Sequence, residues 1–196
     1  MNNIKMKKDR IPITKKTKRL KLTFFEALAH YLSIIIFFGF AFIPLWTLSK
    51  KTYTEGGWTE EGLIIFSLIF LLLAILLFFV QYRRLKFKEF NVTFTDKQFK
   101  EAVDRTVNEL KWLIEQNNEN FLRAYRPFNN WSASWGEKIT IIKGKDRLLM
   151  NSICDPEVIS WGWNRRNIKT FLKNLSDVLE NKEEKEKKEN KFLNKA

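Results

Sequence analysis

The sequence predicts a two-span transmembrane helical hairpin followed by a cytoplasmic α+β domain. The domain's predicted order is β-α-β-β-β-α, with an antiparallel sheet carrying its helices on one face. Three observations lead there. Leu63–Val80 is an eighteen-residue run whose sole polar member is Ser67, with no charge, Gly or Pro. A second uncharged run, Tyr31–Leu48, precedes it closely. From Phe87 onward, apolar residues recur instead at strand and amphipathic-helix spacings, punctuated by Asn, Asp, Gly and Pro. The predicted divisions are a basic cytoplasmic leader (1–24), the hairpin (25–82, spans about 25–48 and 63–82), the module (86–175) and a charged tail (176–196).

The spans follow from length. A hydrocarbon core of about 30 Å needs about 20 apolar residues in helical form, and Leu63–Val80 is nearly that long. Tyr31–Leu48 contains Gly39 and Pro44, but Pro near the end of a membrane helix is tolerated where neighbours or water satisfy the freed carbonyl. Trp46, Tyr53 and Trp58 mark one interface and Tyr82 the other, as amphipathic rings prefer. The short connection between the runs requires a hairpin.

Orientation comes from charge. The formal net charge of +13 is uneven. Residues 1–24 hold nine Lys/Arg against Asp9, and Arg83, Arg84, Lys86 and Lys88 are opposed only by Glu89, whereas 49–62 holds two Lys and three Glu. Lys/Arg-rich flanks stay cytoplasmic, so both termini are expected inside an inner membrane and Lys50–Gly62 outside. The late, long first apolar run does not read as a cleaved signal peptide. Residues 1–22 read as a disordered basic leader that fixes topology, a reading compatible with contact to anionic head groups.

In the module, Phe87–Phe94 alternates apolar and polar and predicts a strand. Thr95-Asp96-Lys97-Gln98 has the form of a capping box. Phe99, Ala102, Val103, Val107, Leu110 and Ile114 then predict an amphipathic helix to about Gln116. Strands are expected at Phe121–Arg126, Trp135–Lys143 and Arg147–Cys154, the last two joined by a Gly144-Lys145-Asp146 turn. Asn164 or Asn167 is the expected cap of a final helix with Ile168, Phe171, Leu172 and Leu175 buried. The tail from Ser176 balances six basic and six acidic residues. It reads as an ion-paired helical extension or as disorder.

Ser134-Trp135-Gly136-Glu137, Ile139-Thr140-Ile141, Asn151-Ser152-Ile153-Cys154 and Trp161-Gly162-Trp163-Asn164-Arg165-Arg166-Asn167-Ile168 with Phe171 form a pattern over roughly residues 87–175. It resembles an uncharacterised small cytoplasmic accessory module of bacterial membrane proteins, sometimes found beside rhomboid-type protease domains. The resemblance implies a cytoplasmic domain attached to membrane segments and no activity. A rhomboid protease needs a membrane Ser–His dyad. This chain has two spans, no G-x-S-x-G and a single His, His30, so proteolysis is not carried over.

Several residues invite chemistry. His30 and Glu26, four apart, share a helix face, where an interfacial ion pair or a solvated His is expected ahead of a relay or metal role. One His and one Cys make no metal signature, and no metal or cofactor is expected. Cys154 has no second His to activate it and reads as buried structure. Glu137 and Asp155 could pair as acid and base but are expected to face solvent. Trp131, Trp135, Trp161 and Trp163 interleave with Arg123, Arg126, Arg165 and Arg166. These residues either pack the sheet against its last helix or make a partner surface, carried by Trp135, Trp161, Trp163, Arg165 and Arg166. Arg83, Arg84 and Lys86 are the expected lipid contacts.

The expectation is therefore a membrane-anchored interaction or sensing protein, not an enzyme. Its module would bind a protein partner, another copy or a lipid head group, and no nucleic acid. The alternatives are an enzyme on a membrane-proximal substrate, using Glu137, Asp155 or Cys154, or a homo-oligomeric membrane subunit. For a pore, neither span offers a polar stripe, although Ser33, Gly39 and Thr47 could support helix contacts.

Overall fold

In the computed structural model, residues 10–50, 57–127, 136–154 and 162–193 are described. The apolar runs form the helices α2 (Phe24–Lys50) and α3 (Glu60–Arg84). Both are long and apolar enough to cross a membrane, and only 11% of the most apolar stretch in each is buried. The core helix of a soluble protein would bury most of that stretch, whereas these helices leave it open. The helices pair antiparallel, because contacts run in opposite order along them: His30 meets Gln81, Tyr31 stacks on Phe78, and Phe37 lies against Phe70. Small buried residues, Ala41 and Ser67 with Ala74, let the backbones approach. Thr59 caps α3, its hydroxyl accepting from the Gly62 amide.

The second unit, described by itself, is a five-stranded antiparallel sheet with helices. Its elements are β1 (Lys88–Asn91), α4 (Asp96–Leu110), β2 (Leu113–Asn117), β3 (Phe121–Arg126), β4 (Glu137–Lys143), β5 (Arg147–Cys154) and α5 (Trp163–Leu193). Strand order is β1-β5-β4-β3-β2. α4 therefore carries the chain from one sheet edge to the other, and a meander returns it. The capping box forms as the sequence predicts: Thr95 Oγ1 accepts from the Gln98 amide, and Gln98 reaches back to the Thr95 amide. On the face covered by α4 and α5, Phe99, Val103, Phe171 and Leu175 pack against Leu122, Ile139, Ile141 and Met150. On the opposite face Phe87, Phe121, Ile142 and Leu149 form a smaller cluster.

Three expectations are corrected. The helix predicted to reach Gln116 stops at Leu110, where Lys111 adopts a left-handed conformation (φ 56°). Residues 113–117 are instead an edge strand, so the order is β-α-β-β-β-β-α. Neither Asn164 nor Asn167 caps the last helix, because α5 already begins at Trp163. The described part of the basic leader is folded, with α1 spanning Arg10–Thr17. Arg19 then bridges Lys86 antiparallel, the Phe87 amide donates to the Lys18 carbonyl, and Leu20 packs on the smaller cluster. In the charged tail, α5 continues to Leu193, the helical of the two expected outcomes.

Candidate functional site

The interleaved Trp and Arg residues converge on one end of the sheet. Antiparallel register places Arg126 of β3 opposite Glu137 of β4. Strand alternation puts Arg126 on the same face as Leu122 and Ala124, the face covered by α5. Glu137 is fully buried, and both its oxygens accept from Arg126: Nη2 donates to Oε1 at 3.1 Å and Nε to Oε2. Trp163, the first residue of α5, lies against Arg126, its ring centre 3.8 Å from the guanidinium carbon. One turn on, Arg166 approaches the same ring at 4.6 Å. Gly136 supplies the close approach just before Glu137. Its φ is +107°, and a Cβ there would meet the Tyr125 hydroxyl at 2.4 Å.

Of the predicted partner surface, Trp163 and Arg166 come together, and Arg165 is exposed on α5. Trp135 and Trp161, like Trp131 and Asp155, lie outside the described residues. Arg123 points to the other sheet face, where it pairs with Glu115 at 3.0 Å across a β2 bulge. The expectation that Glu137 faces solvent is overturned by its burial against Arg126. Cys154 is buried and unbridged, and stands opposite Glu137 in the β4–β5 register.

Behind Trp163 runs a polar chain. Trp112 Nε1 donates to Asn167 Oδ1 at 3.1 Å, Asn167 Nδ2 donates to Ser152 Oγ at 3.1 Å, and that hydroxyl donates to Asn164 Oδ1 at 3.1 Å. It fixes α5 against β5 with every member satisfied. The Asn residues of the W-G-x-N-x-x-N-I pattern thus hold the fold here, and Ile168 and Phe171 enter the core. Trp112 was invisible in the sequence because its segment reads as helix. Its one signal is its place directly after a helical stripe.

In the hairpin, His30 is fully buried and its Nε2 lies 3.1 Å from the Gln81 carbonyl, which corrects the expectation of a solvated His. Glu26 is buried and accepts from the Thr23 amide at 2.8 Å, closing the first turn of α2. Arg84 donates to Gln81 Oε1 at 2.7 Å, while Arg83 and Lys86 are exposed. Among the described residues no group of three or more His, Cys, Asp or Glu could hold a metal.

Two charges are tuned in the α/β unit. Lys143 sits over the Phe99 ring at 4.3 Å, and burial pulls its pKa below the usual lysine value against the opposing pull of Asp96 and Glu119. Glu89 takes hydrogen bonds from Lys18 and Arg147, which hold its carboxyl below the ordinary range. The arrangement stacks one indole with two guanidinium groups, of which Arg126 is paired to a buried carboxylate. The chain matches no protein-family model, no curated protein and no solved structure.

Proposed function

We propose that this chain is a two-span inner-membrane protein, with both termini cytoplasmic, whose α/β unit is an interaction or sensing module. The observation that carries the reading is the Arg126–Trp163–Arg166 stack. Buried Arg126 backs the half-buried indole from within, and the exposed Arg165 and Arg166 beside it supply an aromatic and positive surface of the kind that anchors partners. Its occupant would be a protein partner or a lipid head group. The mostly open apolar helices support the tether, and the exposed Arg83 and Lys86 support contact with anionic lipid. The enzyme reading draws less support, because Glu137 is committed to Arg126 and Cys154 is buried.

The test crosslinks the tagged chain in its native membrane and compares it with Arg165→Glu/Arg166→Glu. Both positions are exposed, and circular dichroism checks that the variant keeps its fold. Loss of a crosslinked species supports the surface. An unchanged pattern with the variant folded removes it. Topology is checked separately on a Cys154→Ser background. A cysteine at Gly57 should react with an impermeant maleimide in intact cells, and one at exposed Lys97 only after permeabilisation. The reverse result would invert the orientation.

A further inference from the structure

A cleft of about 590 Å³ opens at the β4–β5 hairpin, walled by Lys15 of α1, Asn91 at the end of β1, the turn residues Lys145 and Asp146, and Arg147. Ile142 and Leu149, both buried and on the sheet face opposite α4 and α5, contribute apolar lining. We propose that this cleft binds a phosphate-bearing ligand of small size, with the phosphate among Lys15, Lys145 and Arg147. This site is separate from the Trp163 surface and does not depend on it.

The charge balance favours an anion. Among the described residues, Asp146 is the one carboxylate in the lining. The nearby Glu89 accepts from Arg147 at 2.9 Å and also from Lys18, so it is already neutralised by two cations. Lys15 and Lys145 add two more positive charges, and among the described residues they make no ion pair. Lys143 lends only its stem, because its ammonium lies over Phe99. Gly144 holds Arg147 in place: its amide donates to the Arg147 carbonyl at 2.8 Å, and a Cβ there would meet Arg147 Cγ at 2.9 Å. A planar guanidinium beside mobile ammonium groups matches the several acceptor oxygens of phosphate better than a single carboxylate. The volume falls within the range of about 300–1,000 Å³ typical of small-ligand sites.

The same chemistry could come from a phospholipid head group or from a soluble phosphate ester. Lysine acylation followed by mass spectrometry, on the purified full chain in nanodiscs, separates them. Phosphatidylcholine discs, phosphatidylglycerol discs, and phosphatidylcholine discs with inorganic phosphate or glycerol 3-phosphate are compared. We expect Lys15 and Lys145 to be protected while exposed Lys97 and Lys173 react unchanged. Protection in phosphatidylglycerol alone identifies the lipid source. Protection by the soluble phosphates identifies a free ligand. Arg147→Ala should weaken the protection about tenfold, as loss of a charge-assisted contact does. No protection in any arm overturns the site, as does equal protection of all four lysines, which would mark a diffuse counter-ion effect.

Discussion

At the residue scale, the Arg126–Glu137 pair is an ion pair buried inside the α/β unit. Each charge is buried and tolerable only because the other is present, so removing one leaves an uncompensated ion. Arg126→Met should destabilise the α/β unit by about 3–5 kcal/mol, and the double variant Arg126→Met/Glu137→Leu should recover much of that loss. Hydrogen exchange at the Ile139 and Met150 amides reads it out. If the double variant is as unstable as the sum of the singles, the pair is not the coupled unit described. Lys143 carries the opposite sign. Burial lowers its folded pKa, so between the folded and unfolded values the unfolded chain holds more protons, and stability rises with pH there. The penalty is fully present below the folded pKa. Lys143→Met should therefore be more stable than the parent near neutral pH, with the advantage fading as pH approaches and passes the ordinary value of 10.5. A destabilised variant at neutral pH would show that the contact with Phe99 outweighs the burial cost. Arg126, Glu137 and Trp163 could each be read from the sequence, but their union could not. It depends on β3–β4 register across the residues 127–136 connection, and no local spacing encodes that register.

At the scale of elements, local signals were reliable where chemistry is local. The Thr95–Gln98 box was legible because both partners lie within one turn, and Thr95→Ala should cost about 1 kcal/mol of α4 stability, seen as faster exchange at the Gln98 and Phe99 amides. The end of α4 was misread for a reason that can be named. Leu110 and Ile114 are four apart and mimic a continuing helical stripe, yet Lys111 turns left-handed between them. The chain then places Trp112 in the core and leaves Leu113 and Ile114 on the edge strand at 58% and 41% exposure. Apolar residues on a sheet edge break the inside–outside alternation that identifies strands. Because the left-handed position favours glycine, Lys111→Gly should stabilise the unit by about 0.5–1 kcal/mol by urea unfolding followed at the sheet amides. A loss of stability would mean that the Lys side chain is worth more there than its backbone strain. The final helix shows the same limit from the other side: Asn164 and Asn167 look like caps, but both serve the Trp112–Ser152 network inside the helix.

For the whole molecule, the two apolar helices were the most legible feature, since hydropathy over a long run needs no partner to be recognised. The return of the N-terminal segment to the sheet was not legible, because it spans the entire length of the hairpin in sequence. Its attachment rests on the Arg19–Lys86 bridge, the Phe87–Lys18 backbone bond, Leu20, and the Lys18–Glu89–Arg147 charge group. That last group makes the attachment pH-sensitive. The Glu89 carboxyl has a folded pKa below its ordinary 4.5, so its contribution is present above 4.5 and lost as pH falls through the folded value. Acidification below that point should loosen the segment while the main core, which does not depend on Glu89, stays folded. The Phe87 amide reports this directly, since its bond to Lys18 breaks only if the segment leaves. Its hydrogen exchange should accelerate on acidification relative to Met150, after correction for the intrinsic pH dependence. Glu89→Gln should show the accelerated exchange already at neutral pH, with little further change on acidification. If Phe87 and Met150 keep a constant ratio across the range in the parent chain, the segment is held by its backbone and Leu20 alone, and the charge group is an incidental surface pairing.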